Sequence, residues 1–102
     1  MQTTDFLNDL KAVYGLTSDY QLAKKLSVNT STIGNYRSGR SYLSDEMALK
    51  VADLLEIDPL IVMACVHAER YMKQGSAEVF DFWCGVADRA IKSNAKMTLH
   101  AV

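Results

Sequence analysis

Proline occurs once in this chain of 102 residues, as Pro59, and glycine five times, as Gly15, Gly34, Gly39, Gly75 and Gly85. Neither builds a low-complexity segment, and no internal repeat is present. Cysteine is limited to Cys65 and Cys84, too few for a disulfide framework, so reduced thiols in a cytosol are expected. Long apolar runs are missing as well. The longest, Leu60 to Val66, falls far short of the roughly 20 residues that span a bilayer, so no membrane partner is expected. Met-Gln-Thr-Thr-Asp at the start carries no basic residue ahead of an apolar stretch and does not read as a secretory signal. No segment alternates apolar and polar residues over six positions, so strands are not expected. No single sign of charge dominates, with a net charge of −1.

What is present is ordinary globular material. Hydrophobic residues make up 49% and charged residues 23%, which excludes disorder along the whole length. A chain of this size buries only about 60–70% of its unfolded surface. Deep enclosed active sites are hard to build at that scale, and binding is the commoner task.

Helical spacing recurs along the chain, which predicts an all-α fold. Helix 1 is expected from Thr4, as cap, to Tyr14, with Phe6, Leu10, Val13 and Tyr14 as its stripe and Gly15 as its stop. Ser18 caps a second helix to Leu26, with Leu22, Ala23 and Leu26 inward. Asn29 caps a third from Thr30 to Ser38, stopped by Gly39. Ser44 caps a fourth to Leu55, with Ala48, Val51, Ala52 and Leu55 inside. Asp58-Pro59 is a strong start signal for a fifth, to about Lys73. Gly75-Ser76 turns the chain into a sixth, from Ala77 to about Lys92. Residues 93–102 show no persistent period and are expected to fray as a flexible tail. The expected organisation is thus residues 1–57, residues 58–92 and that tail.

The informative stretch is Ser18 to Gly39. Two short helices are separated by Ser27, Val28 and Asn29 alone, which forces a steep crossing. Ala23 is small where the second helix must come close, and Val28 and Ile33 plug the angle. That is the physical pattern of a helix-turn-helix. The stretch resembles the Cro/repressor-type family, the lambda-repressor-like or XRE class. Leu22-Ala23, Leu26, Val28, Ile33 and Gly39 stand where that family has its core and turn residues. The apolar fourth helix, Met47 to Leu55, and the Glu56-Ile57-Asp58 step continue the likeness, which covers about Phe6 to Val62. The resemblance implies a lambda-repressor-like bundle, followed here by a C-terminal helical hairpin.

Two positions depart from the family. Ser27 replaces the usual turn glycine, and a left-handed serine costs about 1 kcal/mol. Asp19 replaces a glutamine that commonly meets phosphate, and an acid there repels phosphate while suiting the helix dipole.

The resemblance further implies that helix 3 enters the major groove of double-stranded DNA. Carried over by position, Thr30, Ser31 and Asn35 face bases. Asn35 is the most specific, since its amide pairs with the N6 and N7 groups of adenine. Asn29, Ser38 and Arg40 are phosphate candidates, Thr32 shares that end of the helix and can touch the backbone, and Arg37, Ser41 and Tyr42 are weaker candidates. Gly34 costs about 1 kcal/mol inside a helix against alanine. Close approach to DNA is one reason for it, and close helix contact within the protein is the other. From Ser18 to Leu43, Lys24, Lys25, Arg37 and Arg40 face only Asp19, on a chain otherwise rich in acids. That asymmetry suits a DNA face on an acidic body.

Helix 5 is apolar all round at its start, and helix 6 carries Val79, Phe80, Trp83, Ala87, Ala90 and Ile91 at helical spacing. This exceeds what one small domain needs to cover. Leu60, Met63, Phe82, Trp83 and Val86 are therefore candidates for a homodimer interface, the alternative being an internal core. Phe82 and Trp83 are neighbours and cannot point the same way.

Cys65 and Cys84 read as buried thiols. His67 and His100 are not at metal-ligand spacing with either, so no zinc site is expected. Ser31 with Asp19 or His67 makes no catalytic triad, and no glycine-rich phosphate loop is present. Neither an enzyme nor a cofactor is expected. The expected function is a cytoplasmic, sequence-specific regulator of the Cro-like phage or prophage kind, reading a palindromic operator as a dimer. An antitoxin that represses its own operon, with its toxin as protein partner on the C-terminal helices, would look alike. A protein-interaction adaptor that has lost DNA binding would draw on Asp19 and the acidic balance.

Overall fold

A computed structural model describes residues 1–101, with side chains up to residue 93. Its helices are α1 (Thr3–Tyr14), α2 (Asp19–Leu26), α3 (Thr30–Ser38), α4 (Asp45–Leu55), α5 (Pro59–Gln74) and α6 (Ala77–Ala101). Among the described residues there is no strand, and the all-α expectation holds. Local chemistry sets most boundaries. The Ser18 hydroxyl accepts from the Gln21 N–H at 3.2 Å and the Ser44 hydroxyl from the Met47 N–H at 3.1 Å. At α5, the Asp58 carboxylate accepts from the Leu60 N–H at 2.9 Å, ahead of Pro59 in the first turn. Gly15, Gly39 and Gly75 end α1, α3 and α5 in the left-handed conformation.

Three expectations need correction. Helix α1 starts at Thr3, not Thr4, because Thr3 is drawn inward by a distant partner. Its N–H and hydroxyl both donate to the Glu69 carboxylate on α5, each at 2.8 Å, and both residues are buried. The buried face of α1 is accordingly Thr3, Phe6, Leu7 and Leu10. Tyr14, expected on that stripe, is 38% exposed, and Val13, also expected there, is 63% exposed. It lines an open apolar groove of about 420 Å³ with Ala12, Leu55, Ile57, Ile61 and Ile91. Finally, α6 continues through Ala101 instead of ending near Lys92. The fraying expected from Ser93 therefore falls on helical backbone; the side chains from residue 94 on, and Val102, lie outside the described residues.

A single cluster of buried side chains joins the whole. Phe6, Leu7 and Leu10 meet Leu22, Leu26 and Ile33, then Val51 and Ala52, then Val62 and Val66, and lastly Ala87 and Ala90. Helices α5 and α6 fold back on each other about Gly75, and α5 lies against α4 and α1. The hairpin thus shares its core with the first four helices.

The Thr3–Glu69 contact buries a carboxylate with two short donors, which stabilises it where water is excluded. Replacing Thr3 with valine removes the hydroxyl but keeps the shape. The expected cost is about 1–3 kcal/mol, or a melting midpoint lower by about 4 °C or more. An unchanged midpoint in calorimetry would show that the carboxylate draws no stability from that hydroxyl.

Candidate nucleic-acid interface

Helices α2 and α3 are joined by Ser27, Val28 and Asn29. Ser27 is left-handed, with φ 58°, as the missing turn glycine implies. The tight turn is closed by the Val28 N–H donating to the Ala23 carbonyl at 2.9 Å. Ala23 and Ile33 are buried and Val28 is half-buried, filling the angle between the helices. Helix α4 supports the turn from behind: Lys50 Nζ donates to the Leu26 carbonyl at 2.8 Å, placing a cation at the negative end of α2.

Only Ile33 and Tyr36 of α3 are buried. Burial also pushes the Tyr36 hydroxyl above its ordinary pKa, so the ring enters the core neutral. Most of the rest of α3 is exposed. Thr30, Ser31, Gly34, Asn35 and Ser38 are exposed, as is Asn29 before them, while Thr32 is half-buried. Ser38 Oγ donates to the Asn35 carbonyl at 3.2 Å, and so does the Arg40 N–H at 2.9 Å. The Asn35 side chain is exposed.

A side chain at Gly34 would meet nothing within 4 Å. Close helix contact therefore does not account for the glycine. Gly34→Ala is expected to raise the unfolding free energy by about 1 kcal/mol through helix propensity alone. Urea denaturation checks this, and a destabilised variant would contradict the open surroundings of the residue.

Arg37, expected among the phosphate contacts, is committed to the protein. Its Nη2 lies 3.0 Å from Asp19 Oδ1, its Nε donates to Asp19 Oδ2 at 3.3 Å, and its Nη1 donates to Asn8 Oδ1 at 2.7 Å. Lys11 Nζ stands 3.5 Å from the same carboxylate. The acid that departs from the family pattern is thus paired with a base on the facing helix. Together they tie α1, α2 and α3.

The Arg37 guanidinium, with Lys11 adding to it, holds the Asp19 carboxyl below its ordinary value of 3.8. The folded-state pKa is depressed, so the stabilisation is complete above the unfolded value and is lost as pH falls through the folded one. Asp19→Asn should therefore flatten the acid limb of a stability profile, from the ordinary carboxylate range downward. Parallel acid limbs for the variant and the parent would exclude this linkage.

The helix-turn-helix family model matches residues 14–62, from the end of α1 into the first turn of α5. A protein of Pseudoalteromonas phage PM2, named "Uncharacterized protein Gp-c", is 31% identical over 80 residues, which covers 78% of this chain and 87% of that one. The chain belongs to the helix-turn-helix family, in its lambda-repressor-like form. No solved structure matches it. Helix-turn-helix domains of this family are DNA-binding regulatory domains, and among the described residues no helix is long and apolar enough to cross a membrane.

Outside the helix-turn-helix itself, α5 brings two bases that single-position reading missed. Arg70 and Lys73 both reach the ring of Tyr42 in the loop after α3. Their spacing of three residues on a helix was the available signal.

The dimer candidates divide. Met63, Trp83 and Val86 are half-buried and lie against the core. Trp83 stacks on His67, ring centres 4.6 Å apart, and His67 Nε2 lies 3.3 Å from Asp45 Oδ1. Leu60 and Phe82 stay 46% and 59% exposed, Phe82 with its ring edge-on to Trp83. The neighbours Phe82 and Trp83 thus differ in exposure while their rings touch edge to face. Cys65 is buried and Cys84 half-buried, both as free thiols.

Proposed function

We propose that this protein is a sequence-specific regulator of double-stranded DNA, of the Cro-like repressor kind, working for a phage or prophage. The observation that carries the reading is α3. Two buried residues hold it to the body, while Thr30, Ser31, Gly34 and Asn35 lie exposed along its outer side. A short helix that presents small polar side chains and a glycine fits the major groove, where Asn35 can distinguish adenine. Thr30, Ser31 and Asn35 read bases; Asn29, Thr32, Ser38 and Arg40 hold phosphates; Gly34 lets the helix sit deep. The phage protein resembling this chain supports the setting. The adaptor reading leaned on the charge of Asp19, and that charge is paired with Arg37 and Lys11.

One motif of this size binds weakly alone. We infer a homodimer that sets two copies of α3 on a two-fold operator, with the exposed Leu60 and Phe82 as its anchors. The test is selection from a randomised duplex pool, followed by fluorescence polarisation at two salt concentrations. The expected result is enrichment of a two-fold sequence, bound far more tightly than its scrambled form and more weakly in higher salt. Failure to enrich any sequence would overturn specific reading. Absence of binding even at low salt would overturn the DNA reading altogether.

A further inference from the structure

Of the four bases between Ser18 and Leu43, Arg37 is withdrawn into an ion pair with the protein, while Lys24, Lys25 and Arg40 are exposed. Arg37 is held by Asp19 and Asn8, Lys24 lies over the Tyr20 ring at 4.8 Å, and Lys25 over the Tyr14 ring at 4.1 Å. Helix α4 offers phosphate no welcome, because its first turn carries Asp45 and Glu46. Beside the loop that follows α3, α5 supplies two further bases. The Arg70 guanidinium carbon lies 5.6 Å from the Tyr42 ring centre and Lys73 Nζ lies 5.5 Å from it. Lys73 Nζ also donates to the carbonyl of Gly39 at 3.4 Å. Arg40 is exposed in the same loop. Among the described residues, no carboxylate forms an ion pair with Arg40, Arg70 or Lys73.

We propose that Arg70 and Lys73 form, with Arg40, a second phosphate-binding locus, which grips the duplex backbone beside the stretch read by α3. The inference rests on the DNA-binding reading above and gives the C-terminal hairpin a direct part in it. Two like charges drawn to one ring repel each other, and a shared anion relieves that repulsion. The Tyr42 ring fixes the stems of both side chains while leaving outward donors for phosphate oxygens. Phosphates repeat regularly along the backbone, so Arg70 and Lys73 at the Tyr42 ring, with Arg40 exposed in the same loop, can meet more than one of them. The contacts carry no sequence information; they fix register and add affinity.

The test removes charge and keeps the stems, with Arg70→Gln and Lys73→Met, alone and together. Binding to the selected duplex and its scrambled form is followed over a salt series by fluorescence polarisation. Each substitution is expected to lower the slope of log affinity against log salt by about 1, and the pair by about 2. Cognate and scrambled duplexes should weaken alike. Arg70→Lys and Lys73→Arg, which retain charge, should keep the parental slope. Parental slopes in the charge-removed variants would overturn the proposal, as would a lowered slope in the charge-retaining ones. Asn35→Ala run in parallel separates the two levels. If it loses discrimination while the α5 variants change nothing, this locus is wrong and the DNA reading stands. If the parent binds no duplex, both fall.

Discussion

Replacing Ile33 with alanine is expected to lower the unfolding free energy by about 2–5 kcal/mol in urea denaturation. Ile33 is fully buried, and α3 has only one other buried residue, Tyr36. A nine-residue helix does not hold its shape alone in water. Its order comes from those two anchors and from the Arg37–Asp19 pair at its other side. Removing the Ile33 side chain opens a cavity in the angle between α2 and α3, next to Val28, where the left-handed Ser27 already costs energy. For a domain whose whole stability is roughly 5–15 kcal/mol, such a loss is large. A loss below about 0.5 kcal/mol would show that α3 is not held through this residue, and with it the argument for a rigid reading helix would fail.

The helix-turn-helix was the most legible part of the sequence. The expected ranges of α2 and α3 match the structure because local chemistry sets both ends: Ser18 at the start of α2, Gly39 at the end of α3, and a turn too short for alternatives. Where a boundary depends on a distant partner, local reading misses it. Thr3 looks like an ordinary flanking residue until Glu69, 66 positions away, draws it into the core. The charges show the same limit more sharply. Asp19 taken alone repels phosphate, and Arg37 taken alone attracts it. Eighteen residues apart in sequence, they meet at 3.0 Å, so each charge is paired within the protein. The extension of α6 had a signal that periodicity hides: beyond Gly85 there is no glycine or proline to stop a helix, and alanine, lysine and methionine propagate one without needing an apolar stripe.

Asn35→Ala should weaken binding to the selected duplex by about tenfold or more per half-site. A bidentate amide–adenine contact is worth roughly 1–3 kcal/mol, and each 1.4 kcal/mol is about a factor of ten. The stability of the protein should change by no more than about 0.5 kcal/mol, since the side chain is exposed. The backbone around it does not depend on the amide, because its carbonyl accepts from the Arg40 N–H and from Ser38 Oγ. Measured against duplexes that differ at one base pair per half-site, the variant should lose preference at a single position and keep it at the others. Its salt slope should match that of the parent, because no phosphate contact is removed. An even loss across all duplexes, with a lowered slope, would make Asn35 a backbone contact and transfer base reading to Thr30 and Ser31. An unchanged affinity would place α3 outside the groove, and the exposed polar face would then need another partner.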